Sequence, residues 1–347
     1  MNSTEVFIIG AGPIGLELAV ALKLLKVDYL HVDAGQVAQT ITWFPRQAQF
    51  FSSPERIAIA GVPLHTVDQS KATREEYLAY LRGVVQQFDL AVRTFECVTN
   101  VQRQGDGFVI QTKRGDEPQV YQARHVVFAI GDMHRPRLLH IPGEDLPHVS
   151  HYFDEPHIYF RKRLLIVGGR NSAVEAALRC HRLGAQVTLS YRGAEFDRQA
   201  GKYWLLPDIE VLIKMGKIAF HPRTTPVRIT PTAVALKPDE GPAFDVPTDF
   251  VLLLTGYEMD TSLLEQAGVE LRGENCCPVL DLDTMQTKVP GLFVAGTAAA
   301  GTQHRFRLFI ENCHPHVARI VRAITGKEPP FPTGDMTHSG RYGLAEA

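Results

Sequence analysis

The N-terminal part of the chain places a glycine-rich turn between an apolar run and a helical repeat. Residues 6–9 are apolar, residues 10–15 form the turn, residues 16–25 have helical spacing, and a second apolar run ends at Asp33. This order predicts a strand, a tight turn, a helix and a second strand parallel to the first. Many proteins bind a dinucleotide at such a turn.

The same pattern returns further along the chain. Residues 164–167 are apolar, residues 168–173 form a turn that begins with two glycines, residues 174–183 have helical spacing, and residues 186–189 form the next apolar run. Two such units predict an α/β fold with two nested Rossmann-like dinucleotide-binding domains.

Three further apolar runs each end in a glycine, at Gly131, Gly256 and Gly296. Such runs are typical of buried parallel strands whose carboxyl ends meet a bound dinucleotide. We expect one domain to be discontinuous and the other to be inserted in it. The expected bounds are 1–155 for the first part of the discontinuous domain, 156–256 for the inserted domain, and 257–347 for the second part of the discontinuous domain.

Two other segments have a recognisable pattern. Residues 94–112 alternate apolar and polar side chains around a turn at 105–107, which predicts an antiparallel excursion. Helical spacing from about Asn312 to Ile324, stopped by Gly326 and then two prolines, predicts a final helix.

Composition and charge are those of an ordinary globular protein. The 347 residues are 45% hydrophobic and 21% charged, with 36 lysines and arginines against 38 acidic residues. This balance gives no electrostatic reason to expect a nucleic-acid or anionic-membrane partner. Glycines, Glu17 and Lys23 interrupt the most apolar early stretch, so we expect no membrane span or signal peptide and a cytoplasmic location. We also expect a homo-oligomer.

The cysteines and histidines predict neither a disulfide framework nor a metal site. The five cysteines form no Cys-x-x-Cys, and the adjacent Cys276 and Cys277 are expected as unpaired thiols in a loop. His314 and His316 are only two residues apart, and no His-Glu-x-x-His occurs. We therefore expect no bound metal.

The first glycine turn has the residues that FAD binding requires. Gly10 permits the tight turn, Gly12 lets the backbone approach a diphosphate, and Gly15 lets the helix pack close to the strand. The diphosphate would lie at the helix N-terminus, where free N–H groups and the helix dipole favour an anion. Asp33 lies where a carboxylate accepts hydrogen bonds from ribose hydroxyls. The discontinuous domain is therefore predicted to bind FAD.

The second turn departs from the usual glycine pattern at Arg170. Its guanidinium would contact a phosphate directly; the alternative is a solvated arginine on a turn whose nucleotide has been lost. The second strand ends without a carboxylate, and there Arg192 would pair with a 2′-phosphate while Tyr191 stacks on adenine. The inserted domain is therefore predicted to bind NADPH rather than NADH. The residues predicted to bind it are Gly168, Gly169, Arg170, Asn171, Ser172, Ala173, Tyr191 and Arg192.

Five segments carry a resemblance to a known family. They are residues 50–55 (FFSSPE), 71–77 (KATREEY), 148–153 (HVSHYF), 169–178 (GRNSAVEAAL) and 309–312 (FIEN). With these segments the chain resembles the thioredoxin-reductase-like flavoproteins over nearly its whole length, and within them it is similar to the bacillithiol disulfide reductase branch. The resemblance implies FAD, NADPH and hydride transfer between them. It also implies a small external electron acceptor, for which a low-molecular-weight thiol disulfide such as bacillithiol disulfide is a candidate.

Three positions depart from these relatives. Thioredoxin reductases carry a Cys-x-x-Cys in the nicotinamide domain, and this sequence has none. The bacillithiol branch tends to carry a cysteine in the first glycine turn, where this chain has Ile14. Thr297 stands where thioredoxin reductases have an aspartate, and its hydroxyl would give a weaker, uncharged contact.

The resemblance also implies the position of the flavin ring, against Ile14, the loop of residues 36–45 and the start of the final helix near Asn312. The residues expected to contact FAD are Gly10, Gly12, Pro13, Ile14, Gly15, Asp33, Ala34, Gly35, Gln36, Thr40, Phe44, Val98, Ala129, Gly131, Gly296, Thr297 and Asn312.

Three residues are candidates for chemistry beside the flavin. Cys313 follows the expected N-cap Asn312, where the helix dipole would lower the pKa of a thiol; the alternative is a small buried packing residue. His304 and Arg305 would receive an anionic or thiolate-bearing acceptor and supply a proton. The alternative for this segment is a solvated rim or a dimer contact.

Together these observations predict an NADPH-dependent flavoprotein oxidoreductase. One alternative is a flavin monooxygenase, although Gly143 and His148 do not reproduce the F-x-G-x-x-x-H motif usual for that class. Another is a non-catalytic, dinucleotide-bound sensor or scaffold. Turnover assays separate the three.

Overall fold

The computed structural model describes residues 2–197, 202, 204–304 and 307–333. The α-helices in these residues are α1 (Pro13–Leu24), α2 (Pro54–Ile57), α3 (Arg74–Gln87), α4 (Asn171–Arg182), α5 (Leu206–Lys214), α6 (Ser262–Gln266) and α7 (His314–Thr325). The 3-10 helices are Gln39–Trp43, Pro156–Tyr159, Gly296–Ala300 and Ile310–Asn312.

The strands of the described residues are numbered in chain order. They are β1 (Asn2–Ile9), β2 (Tyr29–Val32), β3 (Val92–Arg93), β4 (Glu96–Gln104), β5 (Gly107–Arg114), β6 (Glu117–Phe128), β7 (Arg135–Pro136), β8 (Val149–Ser150), β9 (Arg163–Val167), β10 (Gln186–Tyr191), β11 (Ala219–Pro222), β12 (Thr224–Ile229), β13 (Ala233–Pro238), β14 (Phe244–Pro247), β15 (Phe250–Leu253), β16 (Tyr257–Glu258), β17 (Leu271–Arg272), β18 (Cys277–Pro278), β19 (Leu280–Asp281), β20 (Gln286–Thr287) and β21 (Leu292–Val294).

These elements form two compact units. The first contains the described residues of 1–42, 47–135 and 257–346, and the second contains residues 43–46 and those of 136–256. Each unit has its own parallel sheet with helices beside it, so the predicted α/β fold with Rossmann-like sheets is confirmed. Which unit binds which cofactor does not follow from this division, and the domain assignment stays a prediction.

The first unit is built on a sheet in which β3, β2, β1, β6 and β21 lie side by side and run parallel. The central strand β1 is apolar at Val6, Phe7 and Ile8, and all three are fully buried. A strand buried on both faces is typical of a parallel sheet covered by helices on each side. The antiparallel strands β20 and β19 extend the sheet beyond β21.

Strand β6 takes part in two kinds of pairing. Its N-terminal half pairs antiparallel with β5, and β5 pairs antiparallel with β4. Its C-terminal half lies between β1 and β21 and is parallel to both. The predicted antiparallel excursion is thus confirmed as a meander of β4, β5 and β6 that grows out of the parallel sheet.

The final helix begins later than the sequence predicts. Asn312 belongs to the preceding 3-10 helix, and α7 starts at His314 with Cys313 as its N-cap. The Asn312 side chain accepts a hydrogen bond from the N–H of Phe309 and donates one to the carbonyl of Arg307, so it closes the preceding turn and does not cap α7. The expected Asn312 N-cap is therefore wrong. Gly326 ends the helix in the left-handed conformation, with a φ of 68°.

The second unit has a parallel sheet in the order β11, β10, β9, β15 and β8. A separate antiparallel sheet of β12, β13 and β14 follows in the same unit. Helix α4 buries Ala173, Val174, Ala176 and Ala177 in the core beside β9, with β10 contributing Val187 and Leu189 to that core. These small side chains let the helix pack close to the sheet.

Candidate dinucleotide-binding sites

The register of the first sheet brings four strand ends to one edge. Ile9 of β1 lies opposite Val32 of β2 and Phe128 of β6, and Phe128 in turn lies opposite Val294 of β21. Because parallel strands end at the same edge, the residues that follow them meet there. They are Gly10, Asp33, Ala129 and Ala295.

The first glycine turn leaves room for a ligand at one glycine only. Side chains at Gly10 or Gly15 would lie closer than 3.0 Å to the backbone, to the carbonyl of Ala129 and to that of Gly10 respectively. A side chain at Gly12, by contrast, would meet no described atom within 4 Å. Gly12 is also the N-cap of α1, and no described side chain caps this helix. The open backbone at a helix N-terminus fits a diphosphate.

Asp33 ties the turn to the end of β2. One carboxylate oxygen accepts a hydrogen bond from the N–H of Ala11 at 2.6 Å, and the other accepts one from the N–H of Gly35 at 2.7 Å. Burial raises the pKa of this carboxyl, and the two backbone hydrogen bonds oppose that effect. Each oxygen keeps a second lone pair that would accept from a ribose hydroxyl.

Other residues predicted to bind FAD lie at the same edge. Ile14 is only 6% exposed, and a side chain at Gly296 would reach it at 3.5 Å. A side chain at Gly131 would reach the hydroxyl oxygen of Thr297 at 3.8 Å. The first turn, the end of β6 and the end of β21 are thus brought together, as predicted for one cofactor.

The remaining predicted FAD contacts have more varied positions. Val98 is a buried core residue of β4, and Thr40 lies in the 3-10 helix that contains Gln39 and Trp43. Phe44 belongs to the second unit, unlike the other predicted FAD residues. The backbone N–H of Gln36 donates to the side chain of Gln39. The roles of these residues in binding FAD stay predictions.

His31 supports the turn in a way that the sequence did not reveal. It is fully buried on β2, and its Nε2 lies 2.9 Å from the carbonyl oxygen of Gly10. A carbonyl only accepts, so Nε2 carries the proton and donates it. Burial lowers the pKa of His31 to about 4, which keeps the ring neutral. A histidine within an apolar strand gives no signal of this contact, because the contact joins residues that are distant in sequence.

The second sheet brings the second glycine turn to a comparable edge. Val167 of β9 lies opposite Ser190 of β10 and Leu253 of β15, so Gly168 follows at the edge where those strands end. Gly168 has a φ of 142°, and a side chain there would come within 3.0 Å of the carbonyl of Leu254. Only glycine fits this position without strain.

The ring of Tyr191 lies directly against the second turn. A side chain at Gly169 would come within 3.0 Å of the ring, and Phe196 stacks on Tyr191 with a centroid distance of 6.1 Å and an angle of 9°. The sequence placed Tyr191 beside adenine. The structure places it beside the turn itself, and stacking on adenine stays a prediction.

A small pocket opens at the N-terminus of α4. It is lined by Gly169, Arg170, Asn171, Val174, Asp197, Lys202, Leu205 and Leu206. Arg170 is the N-cap of α4, and no described side chain caps the helix. Asn171 accepts a hydrogen bond from the backbone N–H of Lys202 at 2.5 Å, and the Lys202 ammonium lies 2.8 Å from Glu175. A helix N-terminus with Arg170 beside it fits the phosphates of a dinucleotide, although Lys202 is paired with Glu175 and Asp197 also lines the pocket.

The other predicted NADPH residues differ in exposure. Ser172 and Arg192 are exposed, whereas Ala173 is buried beneath the turn. The exposed position of Arg192, just after β10, leaves its guanidinium accessible to a 2′-phosphate.

The reactive role suggested for Cys313 loses its basis in the structure. Its thiol is fully buried, and burial, together with the charges of Asp132 and Glu17, raises its pKa far above the usual range. The expected lowering of the pKa by the helix dipole is therefore wrong, since desolvation of a thiolate outweighs the dipole at this site. His304 is exposed, and Arg305 lies outside the described residues.

Gln303 holds the segment that contains His304. Its amide nitrogen donates to Asp132 at 2.9 Å and to the carbonyl of Leu308 at 3.0 Å. Its amide oxygen accepts from the N–H groups of Arg307 and Leu308. Both Gln303 and Asp132 are buried, so these hydrogen bonds link Arg307 and Leu308 to Asp132 through a buried amide.

The described residues contain neither a metal-binding cluster nor a membrane-spanning helix. In the described part of the chain, no three His, Cys, Asp or Glu side chains converge in a way that would hold a metal ion. Among the same residues, no helix has the length and apolarity that crossing a bilayer requires.

The fold and the two glycine turns define a class, and comparison with known proteins agrees. Residues 7–296 match the pyridine nucleotide-disulphide oxidoreductase family, and the chain belongs to it. Membership confirms the prediction of an oxidoreductase enzyme with FAD and NADPH as its cofactors.

Particular relatives narrow the comparison. The chain is 37% identical to the bacilliredoxin reductase Bdr of Bacillus subtilis over 94% of its own length and 99% of that protein. It is similar to the solved bacillithiol disulfide reductase Bdr of Bacillus cereus, with a TM-score of 0.89, 36% identity, and coverage of 94% and 100% of the two chains. The corresponding structure from Staphylococcus aureus has a TM-score of 0.88 and 33% identity, and covers 94% of this chain and 99% of that one. The predicted resemblance is thereby confirmed.

Proposed function

We propose that the chain reduces a low-molecular-weight thiol disulfide with electrons from NADPH that pass through FAD. Overall, NADPH, one proton and the disulfide would give NADP⁺ and two thiols. Support comes from the similarity, over nearly the whole chain, to proteins named bacillithiol disulfide reductase. The bound FAD would supply the redox chemistry, while the protein supplies position and electrostatics.

We also propose that the first unit binds FAD and the second binds NADPH. In the first unit, the turn at Gly12 is open, and Asp33 lies beside it. In the second unit, the pocket at α4 is lined by Arg170 and Lys202, which suit the phosphates of NADPH.

The observation that shapes the proposal is Ile14. In the branch that the chain resembles, a cysteine tends to occupy this place, but here an apolar side chain packs against Gly296. Cys313, the nearest alternative in the sequence analysis, is buried with a raised pKa. We therefore propose that the disulfide is reduced without a protein thiol in the first turn. The segment held by Gln303, which presents the exposed His304, is the proposed place for the acceptor.

Anaerobic spectroscopy tests this function. The purified protein should be yellow, and NADPH should bleach the flavin absorbance in one fast phase. Adding bacillithiol disulfide, cystine or glutathione disulfide in turn should restore the oxidised spectrum with at least one of them and release two thiols per NADPH. Flavin that NADPH reduces but none of these disulfides reoxidises would contradict the proposed acceptor.

A protein acceptor is the second candidate. The relative from Bacillus subtilis is named for bacilliredoxin, and it shares 37% identity with this chain. Bacilliredoxin carrying a mixed disulfide belongs in the same reoxidation assay. Faster reoxidation by that protein than by small disulfides would favour it.

We further propose a cytoplasmic homo-oligomer. All five cysteines are free thiols, which suits a reducing compartment. Light scattering coupled to size exclusion measures the oligomeric state, and a monomeric mass would contradict that part of the proposal.

A further inference from the structure

Two histidines at the start of α7 are buried and bonded in different ways. His314 lies 2.7 Å from Glu17 of α1 through Nδ1 and 2.9 Å from the carbonyl of Arg56 through Nε2. His316 accepts a hydrogen bond at Nδ1 from the backbone N–H of Gly296, at 3.2 Å. Both side chains are nearly inaccessible, with 3% and 6% exposure.

The partners of His314 require a charged ring. A carbonyl and a carboxylate only accept, so both ring nitrogens must donate, and only an imidazolium has two N–H groups. Burial alone would lower the pKa of His314, but the hydrogen bond and charge of Glu17, with help from the Arg56 carbonyl and Glu311, raise it. His314 and Glu17 thus form a buried ion pair between α7 and α1.

The partner of His316 requires the opposite state. An N–H donor faces Nδ1, so that nitrogen carries a lone pair and the ring is neutral. Burial, with the charges of Arg319 and His314, lowers its pKa to about 4. Two histidines, two residues apart on one helix, therefore differ in charge at neutral pH, since His314 is positive and His316 is neutral.

Other ionisable and charged groups surround this pair. Arg56 of α2 lies 3.9 Å from Glu311, and both are nearly buried. Tyr77 of α3 and Cys313 have pKa values raised by burial, well above the range in which a histidine titrates. A change between pH 6 and pH 10 in the contact of α7 with α1 is therefore assigned to His314.

The contacts of the two histidines converge on the first glycine turn. Glu17 lies one helical turn after Ile14 on α1, and Gly296 lies against Ile14. We propose that His314 and His316 are positioning residues for FAD. The two histidines hold the first turn of α7 against the glycine turn through one charged and one neutral contact. This inference rests on the proposed FAD site in the first unit.

The proposal fixes the direction of a pH effect. The contribution of His314 is complete below the usual histidine pKa, near 6.5, and is lost as pH rises through the raised pKa. FAD should therefore bind tightly near neutral pH and weaken by at least about tenfold in alkaline buffer, because a buried carboxylate then lacks its partner.

Titration of the apoprotein with FAD between pH 6 and pH 10, followed by flavin fluorescence, tests the proposal without any turnover. The native protein should show the alkaline weakening, and His65→Gln, a change at an exposed histidine, should show it unchanged. The paired variant Glu17→Gln with His314→Gln replaces the ions by amides, and its affinity should not vary over this range. This variant avoids the buried, unpaired carboxylate that would hinder folding of His314→Gln alone.

His316 has its own matched pair. His316→Asn keeps an acceptor for the Gly296 N–H and should retain FAD, whereas His316→Leu should weaken binding by about tenfold or more. A native affinity that does not change from pH 6 to pH 10, or an alkaline loss that persists in the paired variant, would overturn the inference. Gly12→Ala separates the two proposals, because a wrong FAD site would leave FAD bound in that variant whatever the histidine variants do.

Discussion

Gly12→Ala is the sharpest test of the FAD site because the three glycines of the turn differ in the space that a side chain would have. A methyl group at Gly12 meets no described protein atom within 4 Å, and the φ of −74° suits alanine. The fold should lose only the small N-cap preference of glycine, about 1 kcal/mol or less. For a unit of this size the apoprotein melting temperature should fall by roughly 2–4 °C.

The affinity for FAD should fall far more than the stability of the apoprotein. The methyl group would stand where the backbone approaches the diphosphate and would disrupt at least one charge-assisted hydrogen bond, worth about 1.5–3 kcal/mol. This corresponds to a rise in the Kd of FAD of roughly 10- to 150-fold. Gly15→Ala is the matched contrast, because its methyl group would collide with the Gly10 carbonyl and should destabilise the apoprotein itself.

Fluorescence titration gives the Kd, and thermal unfolding of the apoprotein gives the stability. Native FAD affinity in Gly12→Ala would refute the placement of the diphosphate. A Gly15→Ala apoprotein as stable as the native one would refute the steric argument as a whole.

Three further predictions concern catalysis. Arg192→Ala should narrow the preference for NADPH over NADH in kcat/KM by roughly fivefold, about 1 kcal/mol. The effect is modest because this arginine is exposed and its ion pair with the 2′-phosphate is screened by solvent. Equal use of both nucleotides by the native enzyme would remove the basis for this prediction. Cys313→Ser should keep disulfide turnover within a few-fold and lower stability by about 1–3 kcal/mol, because a hydroxyl replaces a buried thiol. Abolished disulfide turnover with normal flavin reduction would show that electrons pass through the Cys313 thiol. Ile14→Cys should not raise disulfide turnover if electrons reach the acceptor without a thiol; a large gain would contradict direct transfer.

The sequence predicted the parts of the molecule that depend on local order. The apolar runs before Gly10 and Gly168 gave the first strands of both sheets, and the position of Asp33 followed from the end of the second run. These features depend on residues that are close in the chain, so periodicity and glycine spacing are enough to find them.

The contacts that join distant segments were not predictable. The expectation of a low pKa for Cys313 rested on the helix dipole and left out the depth of burial, which depends on tertiary packing. The Glu17–His314 pair joins residues that are separated by almost the whole chain, and each residue alone resembles an ordinary surface residue. In the same way, the spacing of His314 and His316 argued against a metal site. It did not indicate that one ring is charged and the other neutral.

The place of β21 in the first sheet has a consequence for biosynthesis. This strand pairs with β6 but is synthesised after the entire second unit. At 5–20 residues per second, roughly 10–30 s pass between synthesis of the two strands, and during this time one edge of β6 lacks its permanent neighbour. The second unit, which is continuous from 136 to 256 apart from the short segment 43–46, can assemble during that interval. A nascent chain stalled before β21 would therefore leave this sheet edge of the first unit open to other strands, which is where a chaperone would be needed.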